Sequence, residues 1–406
     1  MITIFQRFID VPGPVLVPAI RIAIWHFFFV WAVTGVKVAT NAVFLARADK
    51  STLPLLYVFV TMGVLVVSTY LARVLSQKPP ALVLRTAMWV GAWLMLSVGV
   101  MLWLKVPYAP AAAYVLGEII TTGISLLFWA RVSDAFSPRS KKLVVGFISG
   151  GGMSGAVVGG LLAHQLAMNA FLVLSLTFYF LLPAAMLFMV KGIRSRSRGL
   201  LKRERASLYP ALTYMKGHAF PKWLALLVVG FAVLGALTDY VFRFESARLG
   251  EAEMASLFGI LNAVVGVTVV CIQMSLTHRL LKRFGVFLFI SITPIILGVL
   301  AVIQSFSDSF GILISMKGLE MAAAFSLNPA AIFLLYNPIP DTLRASVRTF
   351  IDGAIKKLGV AVAGLALLGI AAFSSESLVD SAWIAVSAFG LFIIFPFLHK
   401  SYITAL

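Results

Sequence analysis

The sequence has few charged residues and almost no cysteine. Only 12% of its 406 residues are charged, against roughly 25% in an ordinary soluble protein. So few charges cannot cover the surface of a soluble chain of this length, which excludes the soluble globular classes. Cys271 is the single cysteine, which excludes an intrachain disulfide and a cysteine-based metal cluster. The composition also excludes the collagen-like, coiled-coil and disordered classes.

Apolar residues dominate instead. They make up 61% of the chain, which at about 20 residues per membrane-spanning helix is enough for about twelve spans. Asp10 and two prolines interrupt the N-terminal residues, so we expect the first apolar run to be a retained span and not a cleaved signal peptide. The runs predict an all-α polytopic membrane protein with twelve transmembrane helices, near residues 20–45, 53–72, 84–104, 108–130, 143–164, 169–190, 223–243, 254–275, 286–305, 309–336, 348–371 and 378–398.

A basic segment separates the first six spans from the last six. Residues 191–222 contain nine Lys and Arg residues against one acid, Glu204. We therefore predict an N-terminal six-helix bundle over 1–190, a basic cytoplasmic linker loop over 191–222 and a C-terminal six-helix bundle over 223–406. Two six-helix repeats are typical of the major facilitator architecture. This 6+6 arrangement favours a transporter over a channel or a membrane enzyme.

The basic residues are distributed asymmetrically along the chain. With both termini placed in the cytoplasm, the inner segments carry 24 of the 33 Lys and Arg residues and the outer loops carry five. The positive-inside rule therefore predicts this orientation. The net charge of +18 reflects topology and contact with anionic membrane lipids, so we expect no nucleic-acid partner. We also expect a monomer.

Five ionisable residues lie well inside the apolar runs, where a charge costs about 2.5–3.5 kcal/mol on insertion scales. The predicted spans that carry them are 1, 4, 7 and 10, which line the central cavity of a major facilitator bundle. We therefore predict that four of them, Lys37, Glu118, Asp239 and Glu320, face one shared cavity. The candidate substrate-binding or coupling residues are Lys37, Glu118, Asp239, Lys317 and Glu320.

Each of these charges has a purely structural alternative. Lys317 and Glu320 are three residues apart and could form an intrahelical pair. Asp239 could likewise pair with the arginine four positions further on. Glu118 has no basic residue within four positions, so it must be partnered from another helix, protonated or solvated in a cavity. Lys37 is similarly isolated, and the alternative is that its side chain extends to the membrane surface.

A second group of charges lies at the predicted cytoplasmic ends of spans 4 and 11. Opposite charges at corresponding positions of the two halves could lock the inner mouth of a carrier, and such pairs are individually worth about 0.2–1 kcal/mol. The alternative is that they only reflect the positive-inside bias. The predicted gate consists of Arg131, Asp134, Asp341, Arg344, Arg348 and Asp352.

The glycine-rich run at 146–160 superficially suggests a phosphate-binding loop. It lies inside an apolar span, and the chain has no GxxxxGK[ST] motif. Small residues at this density are typical of close helix packing in membranes, which is our interpretation. The lack of a nucleotide-hydrolysis motif argues against a primary pump. The five histidines show no metal-ligand spacing, so we expect neither a cofactor nor a metal.

Three segments resemble the ATP/ADP antiporter family of plastids and intracellular bacteria, which has shorter relatives in free-living bacteria. They are FLARADKSTLPLLYV (44–58), YVLGEIITTGISLLFWARVSDAFSPRSKKLVVGFISGGGMSGAVVGG (114–160) and FLLYNPIPDTLRASVRTFIDGAIKKLG (333–359). The resemblance implies nucleotide antiport and a location in the bacterial inner membrane. It also implies that Glu118 and Asp239 fall on acidic positions of the family and Lys37 on a basic one.

The chain also departs from that family at several cationic positions. The nucleotide carriers follow their span 1 lysine with a second lysine and an aspartate, where this chain has Thr40 and Asn41. Their further lysine of span 11 falls near Val360. Loss of these cations removes groups that would pair with a triphosphate, which argues against ATP/ADP exchange itself.

Three functions follow from the sequence. The first is secondary active transport, by alternating access, of a small anionic solute such as a nucleotide or another phosphorylated compound. The second is proton-coupled export or flipping of an amphipathic or lipid-like molecule, in which Glu118 and Asp239 titrate. The third is a receptor-like or assembly protein with a transporter fold and no flux. Cations in the cavity favour the first function, and the missing lysine and aspartate of span 1 favour the second.

Overall fold

The computed structural model of the chain contains helices joined by short turns, and no strand, over the residues that it describes. These are 13–167, 208–273, 277–340, 343–373 and 381–405, apart from residues 76, 137, 308, 345, 346 and 349. The helices are α1 Gly13–Arg47, α2 Leu53–Leu75, α3 Pro80–Trp103, α4 Ala109–Ala135, α5 Pro138–Ala167, α6 Leu208–Gly217, α7 Ala219–Ser246, α8 Glu251–Cys271, α9 Thr277–Ser307, α10 Phe310–Phe325, α11 Leu327–Leu335, α12 Lys356–Phe373 and α13 Ser381–Ala405.

The helices agree with the predicted spans. Ten helical segments of the described residues are long and apolar enough to cross a membrane. The π-helix Phe350–Ile355 and α12 together cover most of the predicted span 11. Large apolar side chains such as Phe306 and Ile393 are 88% and 70% exposed, as expected for a surface that contacts lipid. The protein is therefore an all-α, multi-pass membrane protein. The predicted span 6, at 169–190, lies outside the described residues.

Predicted span 10 differs from the structure, which divides it into α10 and α11. Ser326 has φ −125° and ψ −64°, outside the helical region. Pro329 explains the break, since a proline ring clashes with the carbonyl four residues earlier, here that of Phe325. That carbonyl instead accepts a hydrogen bond from Gln273 Nε2 at 3.1 Å. Asn328, beside the proline, accepts a hydrogen bond from Thr293 of α9 at 3.0 Å.

Two compact units make up the chain, and each contains residues of both sequence halves. The first comprises 1–48, 66–203 and 249–267, and the second comprises 49–65, 204–248 and 268–406. The first half of α2 thus belongs to the second unit, and most of α8 belongs to the first. Most of the predicted 191–222 linker lies outside the described residues, although α6 falls within its end. The division into 1–190 and 223–406 stays a prediction.

In the first unit, α1 packs most extensively against α5, and α4 packs against α1 and α3. The glycine-rich run lies on the α1–α5 contact. A Cβ at Gly155 would overlap the carbonyl oxygen of Phe27, and one at Gly151 would overlap that of Ala23. The interpretation of this run as a packing surface is confirmed.

In the second unit, α7 packs against α10, α12 and α13, and α9 packs against α10, α11 and α13. Gly285 interrupts α9 near its start with φ 70°, a left-handed conformation that disfavours residues with a Cβ. The second unit is thus organised around α7 and α9.

Gly155→Ala is expected to destabilise the protein by about 1–3 kcal/mol, the usual cost of overpacking, because the added methyl group must push α1 from α5. Thermal unfolding of the purified protein in detergent measures this. Gly150→Ala is the matched control, since a Cβ at Gly150 meets nothing within 4 Å. Equal unfolding temperatures of the two variants would contradict the role of Gly155.

Candidate functional site

Lys37 of α1 and Glu118 of α4 form an ion pair in the first unit. Their Nζ and Oε2 atoms are 2.8 Å apart, and the side chains are 39% and 19% exposed. Of the alternatives for Glu118, the structure therefore shows a partner from another helix. The two helices approach closely here, since a Cβ at Gly117 would lie 3.3 Å from the Thr40 side chain.

Hydroxyl and amide groups surround this pair, and most of their donors bond within their own helix. Thr40 donates to the Val36 carbonyl at 2.9 Å, and Thr121 to the Gly117 carbonyl at 2.7 Å. The Asn41 amide donates to the carbonyl of Lys37 at 2.6 Å. Because these side chains are neutral, they place no further negative charge beside the ammonium group of Lys37. Its charge is balanced mainly by Glu118.

A larger ionic cluster lies in the second unit. The carboxylate of Asp239 contacts Lys317 Nζ at 2.8 Å and Arg243 Nε at 2.6 Å. Lys317 also contacts Glu320 at 2.8 Å, and the hydroxyl of Tyr57 donates to Asp239 at 2.9 Å. The two local pairs that the sequence spacing indicated are thus both formed. The tertiary structure adds the Asp239–Lys317 link between α7 and α10, and Tyr57 from α2.

Tyr57 could not be found from the sequence, because a tyrosine inside an apolar run carries no periodicity that marks a partner. Its hydroxyl is nevertheless a third donor to the Asp239 carboxylate, beside Arg243 and Lys317. The four charged side chains of the cluster are 11–18% exposed. Two acids and two bases leave it with no net charge, as a buried ionic group requires.

The two sites differ in how available their lysines are. Lys37 is 39% exposed, and the pair with Glu118 is its ionic contact. Lys317 is 11% exposed and is bound by two carboxylates. An incoming anion therefore meets less competition at Lys37. That Lys37, Glu118, Asp239 and Glu320 face one cavity stays a prediction, because the two pairs lie in different units.

The predicted gate residues of span 11 form local contacts. The guanidinium of Arg344 donates to the carbonyls of Tyr336, Asn337 and Ile339 at 2.8–3.1 Å, so it caps the end of α11. Arg348 contacts Asp352 at 3.2 Å. These contacts stabilise the turn that follows α11.

Tyr336 belongs to the same turn. Its hydroxyl donates to Asp352 at 2.8 Å. Burial and then the negative charge of Asp352 raise the pKa of Tyr336 above its ordinary value, which keeps the donor protonated. Arg348 lies over the Phe333 ring, 4.9 Å from its centroid. Arg348 and Asp352 are therefore connected to the end of α11 by contacts with aromatic side chains as well as by their own ion pair.

The remaining predicted gate residues are only partly described. Arg131 is buried in α4. Asp341 and the side chain of Asp134 lie outside the described residues. The gate therefore stays a prediction.

A cross-half contact was not foreseen from the sequence. Arg47, at the end of α1, binds Glu251, at the start of α8, through Nε at 2.7 Å and Nη2 at 3.0 Å. Both lie in the first unit. From the sequence, Arg47 is only an outer-loop cation, because residues 204 positions apart share no local pattern. Among the described residues, no group of His, Cys, Asp and Glu could hold a metal ion.

Comparison with known proteins identifies the fold. No protein-family model and no curated protein sequence matches the chain. Solved structures do match over 95% of it. The nucleoside transporter NupG has 10% identity, a TM-score of 0.66 and 99% of its own length covered. An inward-facing bacterial homologue of the iron transporter ferroportin has 13% identity, a TM-score of 0.66 and 99% of its own length covered. The xylose transporter XylE from E. coli, in an inward-open conformation, has 14% identity, a TM-score of 0.61 and 96% of its own length covered.

These structures are all transporters of the major facilitator type, which confirms the predicted fold class. At 10–14% identity the likeness concerns the fold alone, since one fold supports many functions. The resemblance of three segments to the ATP/ADP antiporter family has no counterpart among these matches.

Proposed function

We propose that the protein is a secondary active transporter that works by alternating access and carries a small anionic, phosphorylated solute. The observation that carries this proposal is the Lys37–Glu118 pair. It places a half-exposed cation on α1, one of the helices that line the cavity in the major facilitator architecture. Transport itself is supported by the fold, whose solved examples include nucleoside and sugar transporters.

The pair explains how an anion would be bound and released. With the site empty, Glu118 neutralises Lys37 and so removes the cost of a lone charge in a low-dielectric environment. An incoming phosphate group competes with Glu118 for the ammonium, and charge-assisted hydrogen bonds of this kind are about twice as strong as neutral ones. Because Glu118 returns when the anion leaves, the lysine is neutralised in both states.

The substrate that best fits this site carries fewer negative charges than a triphosphate. Lys317 is bound by Asp239 and Glu320, which leaves Lys37 as the main candidate cation among the five deep charges. Thr40 and Asn41 also stand where the nucleotide carriers have a further lysine and an aspartate. We therefore propose a monophosphorylated solute, such as a nucleoside monophosphate or a sugar phosphate, within the class that the family resemblance implies.

The Asp239 cluster favours a second candidate function, proton-coupled export of an amphipathic molecule. Its two acids and two bases balance, so one added proton on Asp239 would leave a net positive charge. Such an imbalance weakens the Asp239–Lys317 link between α7 and α10. Proton binding would then change the packing of two helices that the architecture places at the cavity.

Uptake into proteoliposomes tests the proposal. We expect the purified protein to take up at least one member of a panel of nucleoside monophosphates and sugar phosphates, and Lys37→Gln to lower that uptake about tenfold by removing the anion contact. Lys78→Gln, in the loop between α2 and α3, is the matched control. Transport of lipid-like or neutral solutes alone, unaffected by Lys37→Gln, would favour the second candidate instead.

We further propose a bacterial inner membrane location with both termini and the 191–222 loop in the cytoplasm, supported by the 24-to-5 distribution of basic residues. After Cys271 is replaced by serine, Arg198→Cys should react with an impermeant maleimide only from the cytoplasmic side. Ser375→Cys should react only from the outer side. The reverse labelling pattern would contradict the topology.

A further inference from the structure

A cavity of about 430 Å³ lies in the first unit, where the end of α1 meets the turn between α3 and α4. Two of its six lining residues are cations and none is acidic. None of them belongs to the transport site proposed above. The lining consists of Arg47, Leu102, Lys105, Val106, Pro107 and Pro110.

Lys105 has a left-handed backbone conformation, which is unusual for a residue with a side chain. Its φ of 56° is the single positive value found at a non-glycine residue within the described part of the chain. The Val106 N–H donates to the Met101 carbonyl at 3.0 Å, and the Lys105 N–H to the Leu102 carbonyl at 3.2 Å. This helix-ending pattern usually places glycine where Lys105 stands. The fold thus favours glycine at 105, and the lysine side chain requires a separate reason.

Arg47 provides a second, oriented cation. Glu251 holds its guanidinium through Nε and Nη2, and Nη1 takes no part in that pair. The side chain is 40% exposed. Because a guanidinium has donors on more than one edge, Arg47 can serve Glu251 and a second acceptor in the cavity.

The neighbouring side chains place this turn at a membrane surface. Trp103 and Tyr108 are 74% and 81% exposed, and Leu104 is 61% exposed. Exposed tryptophan and tyrosine at the ends of spans are typical of the membrane–water interface. The anions that are abundant at this depth are the phosphate groups of lipids.

We propose that this cavity binds the phosphate group of an anionic membrane lipid. The Lys105 ammonium and the Nη1 group of Arg47 supply charge-assisted donors. Leu102, Val106 and the two prolines form the apolar wall against which the glycerol and first methylene groups pack. The lysine at 105 is thereby explained, since glycine would fit the turn but could not bind the phosphate.

The experiment uses the full-length protein in nanodiscs of phosphatidylcholine, with or without phosphatidylglycerol. Native mass spectrometry measures bound phosphatidylglycerol, and thermal unfolding measures stability. Wild-type protein should retain phosphatidylglycerol and unfold at a higher temperature when it is present. Lys105→Gln and Lys105→Gly should each bind it about fivefold more weakly, as expected for the loss of one lysine near an anionic surface. Arg248→Gln, at an exposed cation of the α7–α8 turn, should behave like wild type.

Lys105→Gly separates this role from a structural one. It relieves the strained backbone, so it should unfold no earlier than wild type in pure phosphatidylcholine and yet lose the stabilisation by phosphatidylglycerol. Inorganic phosphate added to phosphatidylcholine nanodiscs distinguishes the source of the ligand. Protection by inorganic phosphate equal to that by phosphatidylglycerol would overturn the lipid assignment. Unchanged phosphatidylglycerol binding in both Lys105 variants would overturn the site.

Discussion

Replacing Glu118 with glutamine is expected to slow transport about tenfold while tightening the binding of the phosphorylated solute. Glu118 is the carboxylate that neutralises Lys37 in the empty site, so its removal takes away the competitor of the incoming anion. The anion then leaves more slowly, because no carboxylate returns to replace it. The empty carrier also holds an unneutralised lysine, and leaving a charged partner unsatisfied costs about 1–3 kcal/mol or more.

Binding and flux must be measured separately to detect this effect. Calorimetric titration of the purified protein gives the dissociation constant, and counterflow in proteoliposomes gives the transport rate. Glu245→Gln is the matched control, since Glu245, in the last turn of α7, pairs locally with Arg248. We expect that variant to transport like wild type.

Two results would contradict the proposed role of Glu118. Normal exchange with loss of accumulation driven by a pH gradient would assign Glu118 to proton coupling, as in the second candidate function. Wild-type binding, exchange and accumulation together would show that the acid serves neither purpose.

Lys317→Met is expected to destabilise the protein strongly, by about 3–5 kcal/mol, the usual cost of breaking a buried ionic cluster by removing one partner. Lys317 joins Asp239 and Glu320. Asp239 keeps Arg243 and Tyr57 after the substitution. Glu320 loses its ion-pair partner, because Lys317 is the cation that contacts it among the described residues. A lower unfolding temperature in detergent and a smaller yield of monodisperse protein should both follow.

A second substitution distinguishes lost charge balance from lost packing. Lys317→Met combined with Glu320→Gln removes one charge of each sign, so Asp239 and Arg243 remain as a balanced pair. We expect this double variant to recover a large part of the stability that the single variant loses, because the two positions are coupled. Additive destabilisation in the double variant would show that Lys317 acts through packing and not through charge.

The sequence by itself determined the class of the protein, the positions of its spans and its local ion pairs. Low charge and long apolar runs leave no soluble alternative, since the bilayer requires helices of about 20 apolar residues. The helical period then fixes the pairs at spacings of three and four residues, so Lys317–Glu320 and Asp239–Arg243 could be predicted without a structure. Proline at 329 could have predicted the break in span 10, but a window of 19 residues averages over a single interruption.

The tertiary structure alone decided which helices are neighbours. Apolar faces carry little information about partners in a bilayer, because lipid tails are as apolar as leucine and small residues set the close contacts. The pairing of Lys37 with Glu118, of Asp239 with Lys317 and of Arg47 with Glu251 therefore could not be derived from hydropathy. Each joins residues at least 78 positions apart, and each depends on how closely two helices approach. The sequence showed which charges need partners, and helix packing determined which partners they have.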